Sequence, residues 1–140
     1  GRYADAFEAL HGVSRREIEE SPATLLLAAD AARLSHHPRE ARAWLERLLR
    51  RYPRDAQVPV ASFTLGRVLL DELHEPRSAA AAFALARRGG GPLAPDALAR
   101  EVEAWAKAGD LERARELART YLRTHPDGEH VRAVRSFGKL

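Results

Sequence analysis

Apolar residues recur along this chain in helical steps. In HHPREARAWLERLLRRYP (residues 36–53), Ala41, Trp44, Leu45, Leu48 and Leu49 fall at i, i+3, i+4, i+7 and i+8. That spacing draws a single stripe down one face of an α-helix. In GDLERARELARTYLRTHP (residues 109–126), Ala114, Leu117, Ala118, Tyr121 and Leu122 occupy the same offsets. The small residue that opens each stripe lets two helices approach closely, and the larger ones fill the space beside it. No window alternates apolar and polar residues with β-branched side chains, so the predicted fold class is all-α.

The stripe is one phrase of an internal repeat. Taking Ala41 and Ala114 as anchors, a third copy fits at Ala79 and a fourth at Ala6, with anchor spacings of 35, 38 and 35 residues. This is the period of a helix–turn–helix unit that cannot bury its own apolar face and must stack on a neighbour. First helices are expected at 22–35, 59–73 and 95–108, and second helices at 3–11, 38–51, 76–88 and 111–124. Proline near several starts suits a first helical turn, where its missing N–H costs nothing. Ser21 is placed to cap the helix that Pro22 opens. Gly109-Asp110 reads as a helix-to-helix turn, and Gly89-Gly90-Gly91-Pro92 as a loop between units, because the repeat continues in phase beyond it.

The expected organisation is one domain over residues 1–140. It comprises a partial repeat (1–21), repeats at 22–57, 58–93 and 94–126, and a terminal capping helix (127–140) with Val131, Val134 and Phe137 on one side. At the other end Leu10, Val13 and the apolar face of residues 3–10 are left open, which raises a homodimer through that end. With no Met at position 1 or elsewhere, the chain is expected to be a fragment or a mature form.

Composition narrows the chemistry. Hydrophobic residues make up 45 % and charged residues 31 %, a balance that supports a folded core. Net charge is only +3, from 23 basic and 20 acidic residues, and Lys107 and Lys139 are the only lysines. The shortage of Lys, Asn, Ile and Met, whose codons are AT-rich, points to a GC-rich genome, so the arginine content carries little functional weight. With no cysteine, disulfides, thiolate catalysis and Cys-ligated zinc are excluded. The longest apolar run, 23–29, is far short of a membrane span, and no signal peptide is expected within these residues.

These residues resemble tetratricopeptide repeats. In the second helices, Ala41, Leu45, Leu48 and Pro53 fit that family's phrase, as do Ala114, Ala118, Tyr121 and Pro126. Ala79, Phe83 and Ala86 fit three of its positions, with Gly91 where Pro is expected. Phe63-Thr64-Leu65-Gly66-Arg67-Val68-Leu69 looks like the first-helix phrase, and Gly1-Arg2-Tyr3-Ala4-Asp5-Ala6-Phe7 like a second helix whose first helix is missing. Two positions depart from the pattern: Glu101 stands where Leu belongs, and Ile18 where the first unit should end in Pro. Tyr52-Pro53-Arg54-Asp55, followed by ASFTLGRVLLDEL and AAAAF, is similar to repeats of bacterial envelope proteins of the outer-membrane assembly lipoprotein and Tol–Pal-associated types. The Ala/Arg-rich arrays of membrane-anchored FecR-like regulators are similar too.

The resemblance implies an α-solenoid of about three and a half repeats whose first helices line a concave groove for a partner peptide or protein, in a periplasmic or envelope setting. Carried across repeat by repeat, the groove positions are Leu26, Asp30 and Arg33, then Phe63, Arg67 and Leu70, then Ala99, Glu103 and Lys107. Arg33 and Arg67 would clamp a carboxylate, and Phe63 would give an apolar anchor. The competing reading makes the charged members a solvated face and Phe63 and Leu70 core.

Other chemistry is weaker. His36, His37 and His74 lie near turns, but adjacent histidines diverge, and His125 and His130 have no better claim as metal ligands. No cofactor is expected. The serines sit in no catalytic motif, Glu19 and Glu20 diverge on a helix, and the P-loop, GxGxxG and HExxH patterns are absent. Arg47, Arg50, Arg51 and Arg54, and Arg87-Arg88, could touch phosphates. They also sit where a helix dipole favours cations, with Glu40 and Glu46 among them. The sequence thus favours a non-enzymatic interaction scaffold. The alternatives are a regulatory array that binds through its ends or convex face, and weak nucleic-acid binding.

Overall fold

A computed structural model describes residues 2–12 and 21–140. The described residues form eight α-helices and no strand: α1 (Arg2–His11), α2 (Pro22–Leu34), α3 (Pro38–Arg51), α4 (Val58–Arg67), α5 (Pro76–Arg88), α6 (Ala94–Lys107), α7 (Leu111–Thr124) and α8 (Val131–Gly138). A π-helical turn, Val68–Glu72, extends α4. For α1 to α7, with the π turn counted in α4, these bounds fall within a residue or two of the expected ones; α8 begins at Val131, four residues after the start expected for the terminal helix. Val13, Ile18, Glu19 and Glu20 lie outside the described residues.

Ends form where the sequence provides caps. Ser21 is extended and its hydroxyl accepts from the Thr24 N–H at 3.1 Å. Asp110 accepts from the Arg113 N–H at 3.1 Å. Each satisfies a donor that a first helical turn leaves free.

The stripes pack as drawn. Ala41, Leu45 and Leu48 of α3 and Ala114, Ala118 and Tyr121 of α7 are buried at identical offsets, while Trp44, Leu49, Leu117 and Leu122 are half-buried beside them. Helices pack chiefly on their chain neighbours from α1 to α8, and α8 also reaches back to α6. Two apolar clusters result. One runs from Phe7 to Ala104 through α1–α6, and the other joins α6, α7 and α8 around Tyr121 and Val134. Trp105 packs against both clusters, with Arg113 over its ring at 4.6 Å and Arg77 at 5.9 Å.

The turns between first and second helices share one device. His36, His74 and Gly109 occupy the left-handed region, with φ of 64°, 54° and 83°. They are spaced 38 and 35 residues apart, like the repeat anchors. After each, a backbone N–H returns to a carbonyl of the last turn: His37 to Ala32 at 2.8 Å, Glu75 to Leu69 at 2.7 Å and Asp110 to Trp105 at 3.0 Å. This closes the helix end as a left-handed C-cap does. The first and third bonds span five residues and the second spans six. The extra residue is taken up by the π turn at 68–72.

Glycine is required where α4 meets α5. A Cβ on Gly66 would lie 2.6 Å from the Phe83 ring, so α4 can sit on α5 only without a side chain there.

Among the described residues, Glu101 is the buried charged exception to the apolar pattern, at 4 % exposure. Arg87 donates to it through Nε at 2.7 Å and through a terminal nitrogen at 3.4 Å. Arg87 itself stands where the other stripes carry Leu49 and Leu122. Two departures from the repeat, on adjacent helices, therefore satisfy each other.

Candidate partner-binding face

The solvent side of the three first helices forms a set of equivalent positions. On α2 it is Ala23, Leu27, Asp30 and Leu34; on α4 and its π turn, Val60, Thr64, Arg67 and Asp71; on α6, Asp96, Arg100, Glu103 and Lys107. Each set follows i, i+4, i+7 and i+11, and all twelve residues are exposed or partly exposed. Asp30, Arg67, Glu103 and Lys107 are among the expected groove residues. The others fall one residue later: Leu27 for Leu26, Leu34 for Arg33, Thr64 for Phe63, Asp71 for Leu70 and Arg100 for Ala99. A helix turns about 100° per residue, so this slip moves a side chain from solvent into the packing.

Leu70 and Ala99, at 4 % and 7 % exposure, are core. Leu26 is half-buried against the first cluster. Phe63 is half-buried too, its ring edge-on to Phe83 at 5.5 Å. Arg33 is half-buried, 3.6 Å from Asp30, and its Nε is enclosed without a hydrogen-bond partner.

Chemistry changes along this face. Toward α2 it is mainly apolar: Leu27 is 62 % exposed, and Leu34 and Val60 are also open, with Asp30 the charged member. Toward α6 it is an ion network. Arg100 meets Asp71 at 2.6 Å and also pairs with Glu103, which takes Lys107 at 2.7 Å. Arg100 also lies 5.5 Å from the Phe83 ring centre. Burial disfavours its charge, but the hydrogen bond it donates to Asp71 and the charges of Glu103 and Asp71 outweigh that, so it titrates above the ordinary arginine range. Between the two ends, Arg67 is exposed and has no ion-pair partner among the described residues. Sequence reasoning missed Arg100 and Asp71, because their pairing joins residues 29 apart.

A second network lies on α3. Arg42 donates to Glu46 at 2.8 Å and to Glu75, just before α5, at 2.7 Å. The Glu46 hydrogen bond contributes most to raising its pKa, against a smaller opposing cost of burial.

The histidines carry turns and stacking. His36 and His74 hold the left-handed caps, and His37 stacks on Phe7 at 4.0 Å. His125 stacks on Tyr121 at 5.2 Å and bonds Thr124 through Nδ1. Of the arginine clusters, Arg87 is committed to Glu101, and Arg47 and Arg51 lie over the rings of Trp44 and Tyr52. Among the described residues, no helix is long and apolar enough to cross a membrane.

No protein-family model matches this chain, and no curated protein matches it.

Proposed function

We propose that the protein is a non-enzymatic interaction scaffold, an array of tetratricopeptide-like repeats that binds a partner segment along its first helices. The observation that carries this reading is the polarity gradient on the equivalent positions of α2, α4 and α6. Leu27, Leu34 and Val60 expose apolar surface, Arg67 stands unpaired, and the Asp71–Arg100–Glu103–Lys107 network closes the far end. Exposed apolar side chains grouped on one series of helices are typical of interaction surfaces. The fitting partner is an extended or helical segment with apolar residues toward α2 and a carboxylate near Arg67. Preformed helices hold these positions before binding, which lowers the ordering cost on the scaffold side. The envelope setting rests on the phrase beginning Tyr52-Pro53-Arg54-Asp55.

The test is a pull-down from envelope and cytosolic fractions of source cells, with the native chain beside Leu27→Glu/Arg67→Glu. Both changes are at exposed positions, so circular dichroism should report unchanged helicity. Partners that come from the envelope fraction with the native bait and vanish with the variant are the expected result. Partners recovered equally by both baits would move the binding site to the convex face or the array ends.

A further inference from the structure

At the α6 edge of the first-helix face, where Asp96 stands, the start of α6 meets the turn that leads into α8. Asp96 lies in the first turn of α6, after Pro95. Glu129 and His130 immediately precede α8. His130 Nε2 stands 2.7 Å from Asp96 Oδ1 and 3.4 Å from Glu129 Oε1. One ligand atom from each of the three residues lies within 4.8 Å of the others. We propose that Asp96, Glu129 and His130 bind a divalent first-row transition ion, with zinc the best match, and that the ion ties α8 to α6.

Three observations carry this. The first is donor chemistry. One imidazole nitrogen and two carboxylate oxygens form a borderline set that suits zinc better than magnesium, which prefers oxygen alone. The second is spacing. Ligand bonds of about 2.0–2.2 Å place neighbouring donor atoms roughly 2.8–3.1 Å apart around an octahedral ion and roughly 3.3–3.6 Å apart around a tetrahedral one. The two nitrogen–oxygen separations fall close to those ranges, so small side-chain shifts admit an ion. The third is charge. Neither Asp96 nor Glu129 has an Arg or Lys partner among the described residues, whereas Asp71, Glu75, Glu101 and Glu103 each have one. Two carboxylates against one imidazole leave negative charge that a dication would neutralise.

The imidazole is also held in place. Tyr121, 1 % exposed, accepts from the His130 backbone N–H at 3.3 Å. Its ring meets the His130 ring edge-on at 6.2 Å. These contacts position the backbone and ring of His130 against α7. The site is partly open, with His130 at 31 % and Glu129 at 79 % side-chain exposure, so water completes the coordination.

The test is calorimetric titration of chelator-treated protein with Zn2+, beside Mg2+, on the native chain, His130→Gln, Asp96→Asn and Glu129→Gln. Glu129 is exposed, so Glu129→Gln keeps the fold even if loss of the His130–Asp96 pair loosens α8. The expected result is one equivalent of zinc, little response to magnesium, and at least a tenfold loss of affinity in each variant. Zinc should also slow amide exchange in α8, and His36→Gln/His74→Gln should bind as the native chain does. An absence of zinc binding, or equal affinity in native and Glu129→Gln protein, would overturn the proposal.

Discussion

Arg87 and Glu101 show how one residue's environment redefines another. Each breaks the apolar repeat alone, and together they form a pair in which the carboxylate is buried and the guanidinium is one-third exposed. Arg87→Leu strands a buried carboxylate and should cost about 3 kcal/mol, the lower end for breaking a buried pair because arginine already touches water. Glu101→Leu should cost under about 1 kcal/mol, since the freed arginine can turn to solvent. Arg87→Leu/Glu101→Leu returns both positions to the residue type of their counterparts and should be at least as stable as the native chain. Urea melts of all four proteins give the coupling directly, and additive losses would refute it. The sequence marked Glu101 as anomalous, but its partner lies 14 residues away on another helix and only the packing pairs them.

At the scale of the element, the turns decide how helices follow one another. His36, His74 and Gly109 hold the same left-handed conformation, and only Gly109 adopts it at no steric cost. His74→Gly should therefore stabilise by about 0.5–1 kcal/mol, visible as a higher melting temperature, whereas His74→Ala should bring no gain. A loss on His74→Gly would show that the imidazole itself holds the turn. Helix positions were legible beforehand, because stripe spacing, prolines and caps are local properties. The π turn at 68–72 was not. A repeat of 38 residues instead of 35 leaves open where the excess goes, and the loop and the helix are equal candidates until the second helix must land on the first. The one-residue slip in the face of α2, α4 and α6 has the same origin. An apolar run such as LLLAADAA does not say which leucine faces out.

For the whole molecule, packing of chain neighbours makes stability regional. The second cluster depends on α8, which buries Val134, half-buries Phe137, and brings Gly138 so close to α7 that a Cβ there would meet Ala118. Val134 and Phe137 together bury apolar surface worth on the order of 3 kcal/mol. Removal of residues 130–140 should expose Tyr121 and Val102 and raise hydrogen exchange through α6 and α7, while α2 to α5 stay protected. Uniform loss of protection would mean that Trp105, which touches both clusters, couples them into one cooperative unit.

The sequence alone determined the all-helical class, the period, the bounds of α1 to α7 and the buried stripes. Each follows from residues within a few turns of one another. Tertiary structure decided which side of each first helix meets solvent, that Leu70 and Ala99 are core, and that Arg100 joins Asp71 and Glu103. It also brought Asp96 to His130. Those relations link residues on separate helices or depend on the rotation of one helix against its neighbours. At 100° per residue, that rotation is settled by packing and not by local pattern.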